Sequence, residues 1–117
     1  MTNSKQSESE IILELAKKRG ALQFGEFQLS AGGTSSYYFD GRIITLDPEA
    51  GYHVAKAILP ILKECDAQAI AGPTLGADPI VSSVAVVSHV EGHPVPGLIV
   101  RKEAKEHGGK RAIEGPM

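Results

Sequence analysis

The chain is poor in the residues that mark several classes of protein. Cys65 is the only cysteine among its 117 residues, and tryptophan is absent. A single cysteine excludes an intrachain disulfide, so a reducing cytoplasm is the expected compartment. No apolar run approaches the roughly 20 residues that a membrane-spanning helix needs, and the polar segment from Met1 to Glu8 lacks the apolar centre of a secretory signal. We therefore expect no membrane partner.

The chain also has no excess of positive charge. Twelve Lys and Arg residues stand against 14 Asp and Glu residues, which gives a formal net charge of −2 at pH 7. Proteins that bind the phosphate backbone of nucleic acids are usually basic overall, so a nucleic acid is not an expected partner. The length suits a single domain with a substantial core, and 42% of the residues are hydrophobic.

Three helices are predicted from capping residues and apolar spacing. They run from Ser7 or Ser9 to Gly20, from Asp47 toward Glu64, and from Pro79 to Gly92. The second helix contains Pro60, where a kink is expected because proline removes one backbone hydrogen bond. Asp78 is interpreted as the N-cap of the third helix rather than as a catalytic acid.

Two short apolar runs, Ala67 to Ala71 and Leu98 to Val100, have the length and the weak alternation of buried parallel strands. Because a helix separates them, they are predicted to pair in parallel through a right-handed crossover, which places the chain in the α/β class. Ligands of such sheets bind beyond the carboxyl ends of the strands. The loops at 72–78 and 101–111 leave those ends, so we expect them to be neighbours.

Residues 21–46 differ from this pattern and predict a small antiparallel cap. A strand at Ser36 to Phe39 and the residues Ile43 to Thr45 are assigned to it, and Gly25 is expected to interrupt an earlier apolar run. The three consecutive rings at 37–39 cannot all face one side of a strand. Either one or two of them line a pocket, or they pack a small sheet. We accordingly divide the chain into a helix and hood at 1–46 and an α/β core at 47–117.

The segment 101–111 contains five cationic side chains, one histidine and the pair Gly108-Gly109. Such a loop suits a polyanionic ligand that is covered and then released, although a solvated surface loop is the alternative. The loop at 72–78 precedes a helix N-terminus, which favours an anion, but it has neither a Walker pattern nor a dinucleotide fingerprint. His89 and His93 are four residues apart without a third ligand nearby, so no metal site is expected.

Four segments together resemble the orotate phosphoribosyltransferase family. They are GEFQLSAG at 25–32, SYYFD at 36–40, TLGADPI at 74–80 and RKEAKEHG at 101–108. The resemblance covers nearly the whole chain from about Gly20 to Met117, and the Arg-Lys-x-x-Lys-x-His-Gly pattern is its most specific part. It implies a type I phosphoribosyltransferase fold, in which a parallel sheet core, here incomplete, carries a small N-terminal hood.

The resemblance also implies a function. The reaction is a glycosyltransferase step of pyrimidine (UMP) biosynthesis, in which phosphoribosyl pyrophosphate and orotate give orotidine 5′-monophosphate and pyrophosphate. Mg²⁺ would be bound through the substrate pyrophosphate, and the protein would be a homodimer whose basic loop reaches into the neighbouring site. Three residues match the catalytic-loop positions of the family: Lys102, Lys105 and His107. Six match its substrate-binding positions: Arg101, Tyr38, Phe39, Thr74, Leu75 and Gly76.

The sequence departs from the family at several points. Ser30 and Leu75 each stand where some members have a lysine. The family's hydrophobic strand ending in two acidic residues, with the Thr-rich phosphate loop that follows it, does not occur in the 117 residues. The expectation is therefore the front portion of the enzyme, with little or no activity of its own. The alternatives are a non-catalytic pyrimidine-binding or dimerisation module derived from the family, and a related transferase acting on another base.

Overall fold

The computed structural model describes residues 6–102 and 112–116. In this part of the chain the elements begin with a helix and an antiparallel hairpin and continue into a small mixed α/β layer. Their bounds are α1 Glu8–Lys18, β1 Leu22–Gln28, β2 Thr34–Phe39, α2 Gly41–Thr45, α3 Pro48–Glu64, β3 Ile70–Pro73, α4 Asp78–Val90, β4 Gly97–Val100 and β5 Ile113–Glu114. The predicted α/β class is confirmed.

Helix α1 begins and ends at residues that its local sequence specifies. The Glu10 N–H donates to Ser7 Oγ at 3.2 Å, and the Ser7 N–H donates to Glu10 Oε1 at 3.0 Å, so Ser7 rather than Ser9 is the N-cap. This reciprocal pair satisfies two amides that the first turn would otherwise leave without partners. The backbone amide of Ser7 first, and its hydroxyl second, also hold the pKa of Glu10 below its ordinary value. Gly20 follows the helix with φ +80°, a conformation that glycine adopts without strain.

The predicted antiparallel cap is present as a two-stranded hairpin. Strands β1 and β2 pair from Leu22 opposite Phe39 to Gln28 opposite Thr34. The register shifts between Phe24 and Phe27, so Gly25 lies beside a bulge and does not end the strand. The expected interruption at Gly25 was therefore wrong.

Residues Ile43 to Thr45 were predicted to belong to the antiparallel cap, and this was wrong because they lie in helix α2. The Arg42 N–H donates to Asp40 Oδ1 at 3.2 Å, which caps the helix at its first turn. Ile44 is buried against α1 and α3, and this burial favours the helical conformation over an exposed strand. The short helix carries the chain from the hairpin to α3.

Helix α3 begins at the predicted cap. The Ala50 N–H donates to Asp47 Oδ2 at 2.8 Å, and Arg19 Nε donates to Asp47 Oδ1 at 3.0 Å. The Ala50 amide first, and the Arg19 guanidinium second, hold the pKa of Asp47 below its ordinary value. The same carboxylate raises the pKa of Arg19. Asp47 therefore joins the end of α1 to the start of α3, and α3 continues past Pro60 without a break to Glu64.

The second sheet has the order β3-β4-β5. Strands β3 and β4 are parallel, with Ile70 opposite Gly97 and Pro73 opposite Val100, which confirms the predicted pairing. The strand predicted at 67–71 was placed too early, because the Ala67 N–H still donates to the Leu62 carbonyl at the end of α3. Strand β5, which is antiparallel to β4, was not predicted.

Two buried clusters lie on either side of α3 and share that helix. Ala50 joins the first cluster under α1 and α2, and Leu59 joins the second, which contains Val84 and Val95 of the α4 and β4 region. Helix α3 thus packs the N-terminal region against the α/β layer. The division into 1–46 and 47–117 stays a prediction. Among the described residues, no helix is both long and apolar enough to cross a membrane.

Candidate functional site

A cavity of about 850 Å³ lies where the end of β2, helix α2 and the start of α4 meet. Three segments surround it, and each comes from a different part of the fold. Its lining residues are Tyr38, Phe39, Asp40, Gly41, Arg42, Thr45, Leu46, Leu75, Gly76, Asp78, Pro79 and Ile80. The size is within the range of small-molecule sites. Four of the six residues assigned to substrate binding line this cavity.

One wall of the cavity is aromatic. Tyr38 and Phe39 line it and remain 49% and 53% exposed, so a large ring surface stays accessible to a ligand. The Tyr38 ring is supported from the hairpin by Phe27, with ring centroids 5.8 Å apart and planes inclined by 37°. Tyr37 pairs with Phe24 across the hairpin and is not among the lining residues. Exposed aromatic rings of this kind suit contact with a planar ring.

The turn formed by residues 74–77, here named the 74–77 turn, contributes Leu75 and Gly76 to the cavity lining. It is closed by the Ala77 N–H, which donates to the Pro73 carbonyl at 3.1 Å, and by the Asp78 N–H, which donates to the Leu75 carbonyl at 3.2 Å. The amides of Leu75 and Gly76 have no hydrogen-bond partner within the described part of the chain. Two free amides in front of a helix N-terminus form a site that favours an anion.

Asp78 does not have the role predicted from the sequence. Ala77 is the N-cap of α4, and Asp78 is the first residue of the helix. The Asp78 carboxylate is engaged elsewhere, because Thr74 Oγ1 donates to Asp78 Oδ2 at 2.9 Å across the turn. A carboxylate that accepts this bond is drawn away from the amides of its own helix.

The cavity also brings together polar groups that the sequence alone did not connect. Thr45 Oγ1 and Asp78 Oδ1 are buried and have no hydrogen-bond partner among the described residues, and both side chains belong to the cavity lining. Arg42 is also part of the lining, and its Nε lies 3.8 Å from Asp40 Oδ1. No sequence pattern links α2 to the start of α4, so only the folded chain shows these neighbours.

The beginning of the cationic segment lies beside the 74–77 turn. The Thr74 N–H donates to the Val100 carbonyl at 3.1 Å, so the two loops do start from neighbouring strand ends, as expected. Arg101 follows directly, but its Nε donates to Glu114 Oε2 at 2.8 Å, which holds the guanidinium against β5. Lys102 is exposed. Lys105 and His107, the other assigned catalytic positions, lie outside the described residues.

No group of three or more His, Cys, Asp or Glu side chains that could hold a metal ion occurs within residues 6–102 and 112–116. His89 lies in the last turn of α4, and His93 follows the helix, where its N–H donates to the Ser88 carbonyl at 3.0 Å. The described residues therefore offer hydroxyl, amide and single carboxylate groups at the cavity, together with the Arg42 guanidinium.

Comparison with known proteins gives consistent relatives. An orotate phosphoribosyltransferase from Nostoc is 49% identical over 107 residues, which are 92% of this chain and 49% of the relative. The Aquifex aeolicus enzyme of the same name is 46% identical over 110 residues, or 92% of this chain and 60% of the relative. The chain thus spans about half to three fifths of the length of these curated relatives. No protein-family model matches.

Solved structures show the same likeness. Orotate phosphoribosyltransferase of Mycobacterium tuberculosis, in complex with Fe(III) dicitrate, superposes with a TM-score of 0.77 at 32% identity, covering 94% of this chain and 61% of that one. A phosphoribosyltransferase from Corynebacterium diphtheriae gives a TM-score of 0.73 at 33% identity, covering 96% of this chain and 60% of that one. Both sequence and backbone therefore point to the same group of enzymes.

Proposed function

The chain is a homologue of the orotate phosphoribosyltransferases and shares their type I phosphoribosyltransferase fold, and from this premise we propose that it carries the pyrimidine pocket and diphosphate turn of such an enzyme. The proposed reaction transfers the phosphoribosyl group of phosphoribosyl pyrophosphate to orotate. Its products are orotidine 5′-monophosphate and pyrophosphate, which makes it a step of pyrimidine biosynthesis. Because the chain spans only part of its relatives' length, this activity is proposed and not assigned.

The observation that carries the proposal is the pairing of two unlike walls in one cavity. Tyr38 and Phe39 offer ring surface for a planar base, while the free amides of Leu75 and Gly76 offer donors for an anion. A transferase that joins a pyrimidine to a diphosphate ester needs both walls within one ligand's length. A cavity of about 850 Å³ has room for the two ligands side by side.

The chemistry of the step requires charge stabilisation on the diphosphate side. As the bond from ribose C1 to the diphosphate oxygen breaks, positive charge develops on the ribose and negative charge on the departing diphosphate. A ring nitrogen of orotate forms the new bond to C1 and loses its proton, which the departing diphosphate can accept. The amides of Leu75 and Gly76 and the N-terminus of α4 would stabilise that negative charge. Arg101, Lys102, Lys105 and His107 are proposed to add donors from the cationic segment; a histidine of ordinary pKa near ~6.5 can bind phosphate or donate a proton.

Mg²⁺ is proposed to arrive with the diphosphate. This ion usually keeps several waters and is held by substrate phosphates with one or two carboxylates, so it does not require a cage of protein ligands. The described residues fit that mode, since the cavity lining contains two carboxylates, Asp40 and Asp78, and the diphosphate would supply the remaining charged oxygens. Held in this way, the ion would supply positive charge beside the leaving group.

A homodimer and a cytoplasmic location are also proposed. The hairpin leaves Phe24 71% exposed and Tyr37 54% exposed as cross-strand neighbours, an apolar surface that a second copy of the chain would cover. Sedimentation of the wild type and of Phe24→Ser tests this: a wild-type dimer that the substitution dissociates supports the proposal. A monomeric wild type at micromolar concentration contradicts it.

Orotate titration by calorimetry tests the pocket. We expect orotate to bind the chain and Tyr38→Ala to weaken binding about three- to ten-fold, because an aromatic contact of this kind contributes roughly 0.5–1.5 kcal/mol. Tyr37→Ala is the matched control, since it removes a ring from the same strand outside the cavity lining. Absence of orotate binding, or equal losses from the two substitutions, would contradict the proposed pocket.

A further inference from the structure

The contact across the 74–77 turn determines what Thr74 can offer a ligand. Its hydroxyl has one proton, and that proton is donated to Asp78 Oδ2 at 2.9 Å. While this bond is made, the hydroxyl has no proton left to donate to a ligand. The donors that remain for an anion are therefore the Leu75 and Gly76 amides, which have no partner in the described chain.

Asp78 is an unexpected residue beside an anion site. Its carboxylate adds negative charge where the diphosphate is proposed to bind, and its second oxygen, Oδ1, is buried without a partner among the described residues. The position at the start of α4 stabilises the carboxylate but does not remove its repulsion of an anion. Mg²⁺ bound with the diphosphate would offset this repulsion, and the other oxygen, Oδ2, contacts the turn through the Thr74 hydroxyl whether or not the ion is bound.

We propose that Asp78 is a positioning residue, which holds the 74–77 turn closed through the Thr74 hydroxyl so that the Leu75 and Gly76 amides are ordered before the diphosphate binds. The inference rests on the proposed function for the identity of the ligand. The physical reason is preorganisation: a turn that is already fixed loses less conformational entropy when the anion arrives. Thr74 then acts through Asp78 and is not itself a donor to the anion.

The decisive experiment measures the cost of Thr74→Val in two uncharged backgrounds. Asp78→Asn keeps an acceptor for the Thr74 hydroxyl, whereas Asp78→Ala removes it, and both remove the charge. Inorganic pyrophosphate is titrated into each variant by calorimetry. We expect Thr74→Val to weaken binding about ten-fold, or ~1.4 kcal/mol, in the Asn background and to change nothing in the Ala background.

The conservative variant Thr74→Ser completes the set. It keeps the hydroxyl, so we expect it to restore the affinity that Thr74→Val loses. Equal losses from Thr74→Val in the Asn and Ala backgrounds would overturn the proposal, because they would show that the hydroxyl contacts pyrophosphate directly. Failure of Thr74→Ser to restore binding would overturn it as well.

A ligand-free measurement separates this proposal from the proposed function. The Ala77 and Asp78 amides close the turn by donating to the Pro73 and Leu75 carbonyls, so their hydrogen exchange reports its order. We expect Thr74→Val and Asp78→Ala to accelerate exchange about ten-fold at these two amides, and Thr74→Ser and Asp78→Asn to leave it close to the wild-type rate. Unchanged exchange in all four variants would overturn the positioning role. Accelerated exchange in a chain that does not bind pyrophosphate would support the role and contradict the diphosphate assignment.

Discussion

Gly72→Ala should open the contact between β3 and α4 at the base of the 74–77 turn. A Cβ built on Gly72 would lie 2.5 Å from Ala77 Cβ and 3.2 Å from Val81 Cγ2. Carbon atoms in ordinary contact are about 3.5–4.0 Å apart, so roughly 1 Å of separation must be gained by moving the helix or the strand. The φ of Gly72 is not positive, so the cost is steric and not conformational.

The expected destabilisation is about 1–3 kcal/mol, the usual cost of inserting one carbon into a packed contact. For a domain of this size it should lower Tm by roughly 5–15 °C, which differential scanning calorimetry measures directly. Because Ala77 belongs to the turn, the displacement should also disturb the Leu75 and Gly76 amides and weaken the binding of inorganic pyrophosphate.

Two further variants test whether the effect comes from the contact between positions 72 and 77. Ala77→Gly removes the nearest clashing carbon, and glycine is well tolerated at a helix N-cap, so the double variant with Gly72→Ala should recover most of the lost Tm. Gly97→Ala is the matched control, because its Cβ would lie 2.6 Å from Val81 Cγ1, at the far end of the parallel pair. It should lower Tm without altering pyrophosphate affinity, and Ala77→Gly should not rescue it. An unchanged Tm in Gly72→Ala would contradict the predicted clash. Recovery of Tm in both glycine variants when Ala77→Gly is added would contradict it as well.

Two other substitutions test the packing around the site. Asp47 has a folded-state pKa below its ordinary value, so its contribution to stability is complete above about pH 4 and is lost as the pH falls through the folded-state pKa. Asp47→Asn should therefore be less stable than the wild type at pH 7 in urea, and the two curves should converge below about pH 4; a difference independent of pH would contradict the carboxylate's role. Ser88 is buried and accepts the Val95 N–H at 2.9 Å, so Ser88→Ala should cost about 1–3 kcal/mol by leaving that amide without a partner. Ser82→Ala, on an exposed position of the same helix, is the control, and equal stabilities of the two variants would refute the assignment.

The starts of α1 and α3 were predictable because their causes lie within a few residues. Ser7 with Glu10, and Asp47 with Pro48, satisfy or remove the first amides of their helices whatever surrounds them. The parallel pairing of β3 and β4 was also accessible, since a helix between two short apolar runs leaves few other topologies.

The secondary-structure predictions failed where a contact with a residue distant in the chain determines the local structure. Strand β3 begins at Ile70 because its partner Gly97 begins there, and neither propensity nor alternation in 67–71 reports that register. Ile43 to Thr45 would suit a strand by composition, but the Asp40 cap and the burial of Ile44 make them helical. Strand β5 is only two residues long and is defined by its pairing with β4.

The candidate site divides in the same way. Tyr38, Phe39 and the 74–77 turn could be predicted to belong to the site, because each lies in a short sequence motif. The neighbours Arg42 and Thr45 could not, because tertiary packing brings α2 close to the turn. The sequence also could not show that Asp78 is not the N-cap of α4, because this depends on the side-chain contact between Asp78 and Thr74.

Strand β3 passes into the 74–77 turn with its backbone fixed by main-chain bonds to Val100 and Pro73. A ligand recognised through main-chain amides does not depend on the side chain that those amides carry. If the proposed function is correct, position 75 should tolerate substitution, and its leucine is 80% exposed. Across a saturation library, position 75 should accept most residues, whereas position 72 should accept glycine almost alone. The substitutions accepted at each position would then depend on the space around its Cβ and not on its distance from the ligand.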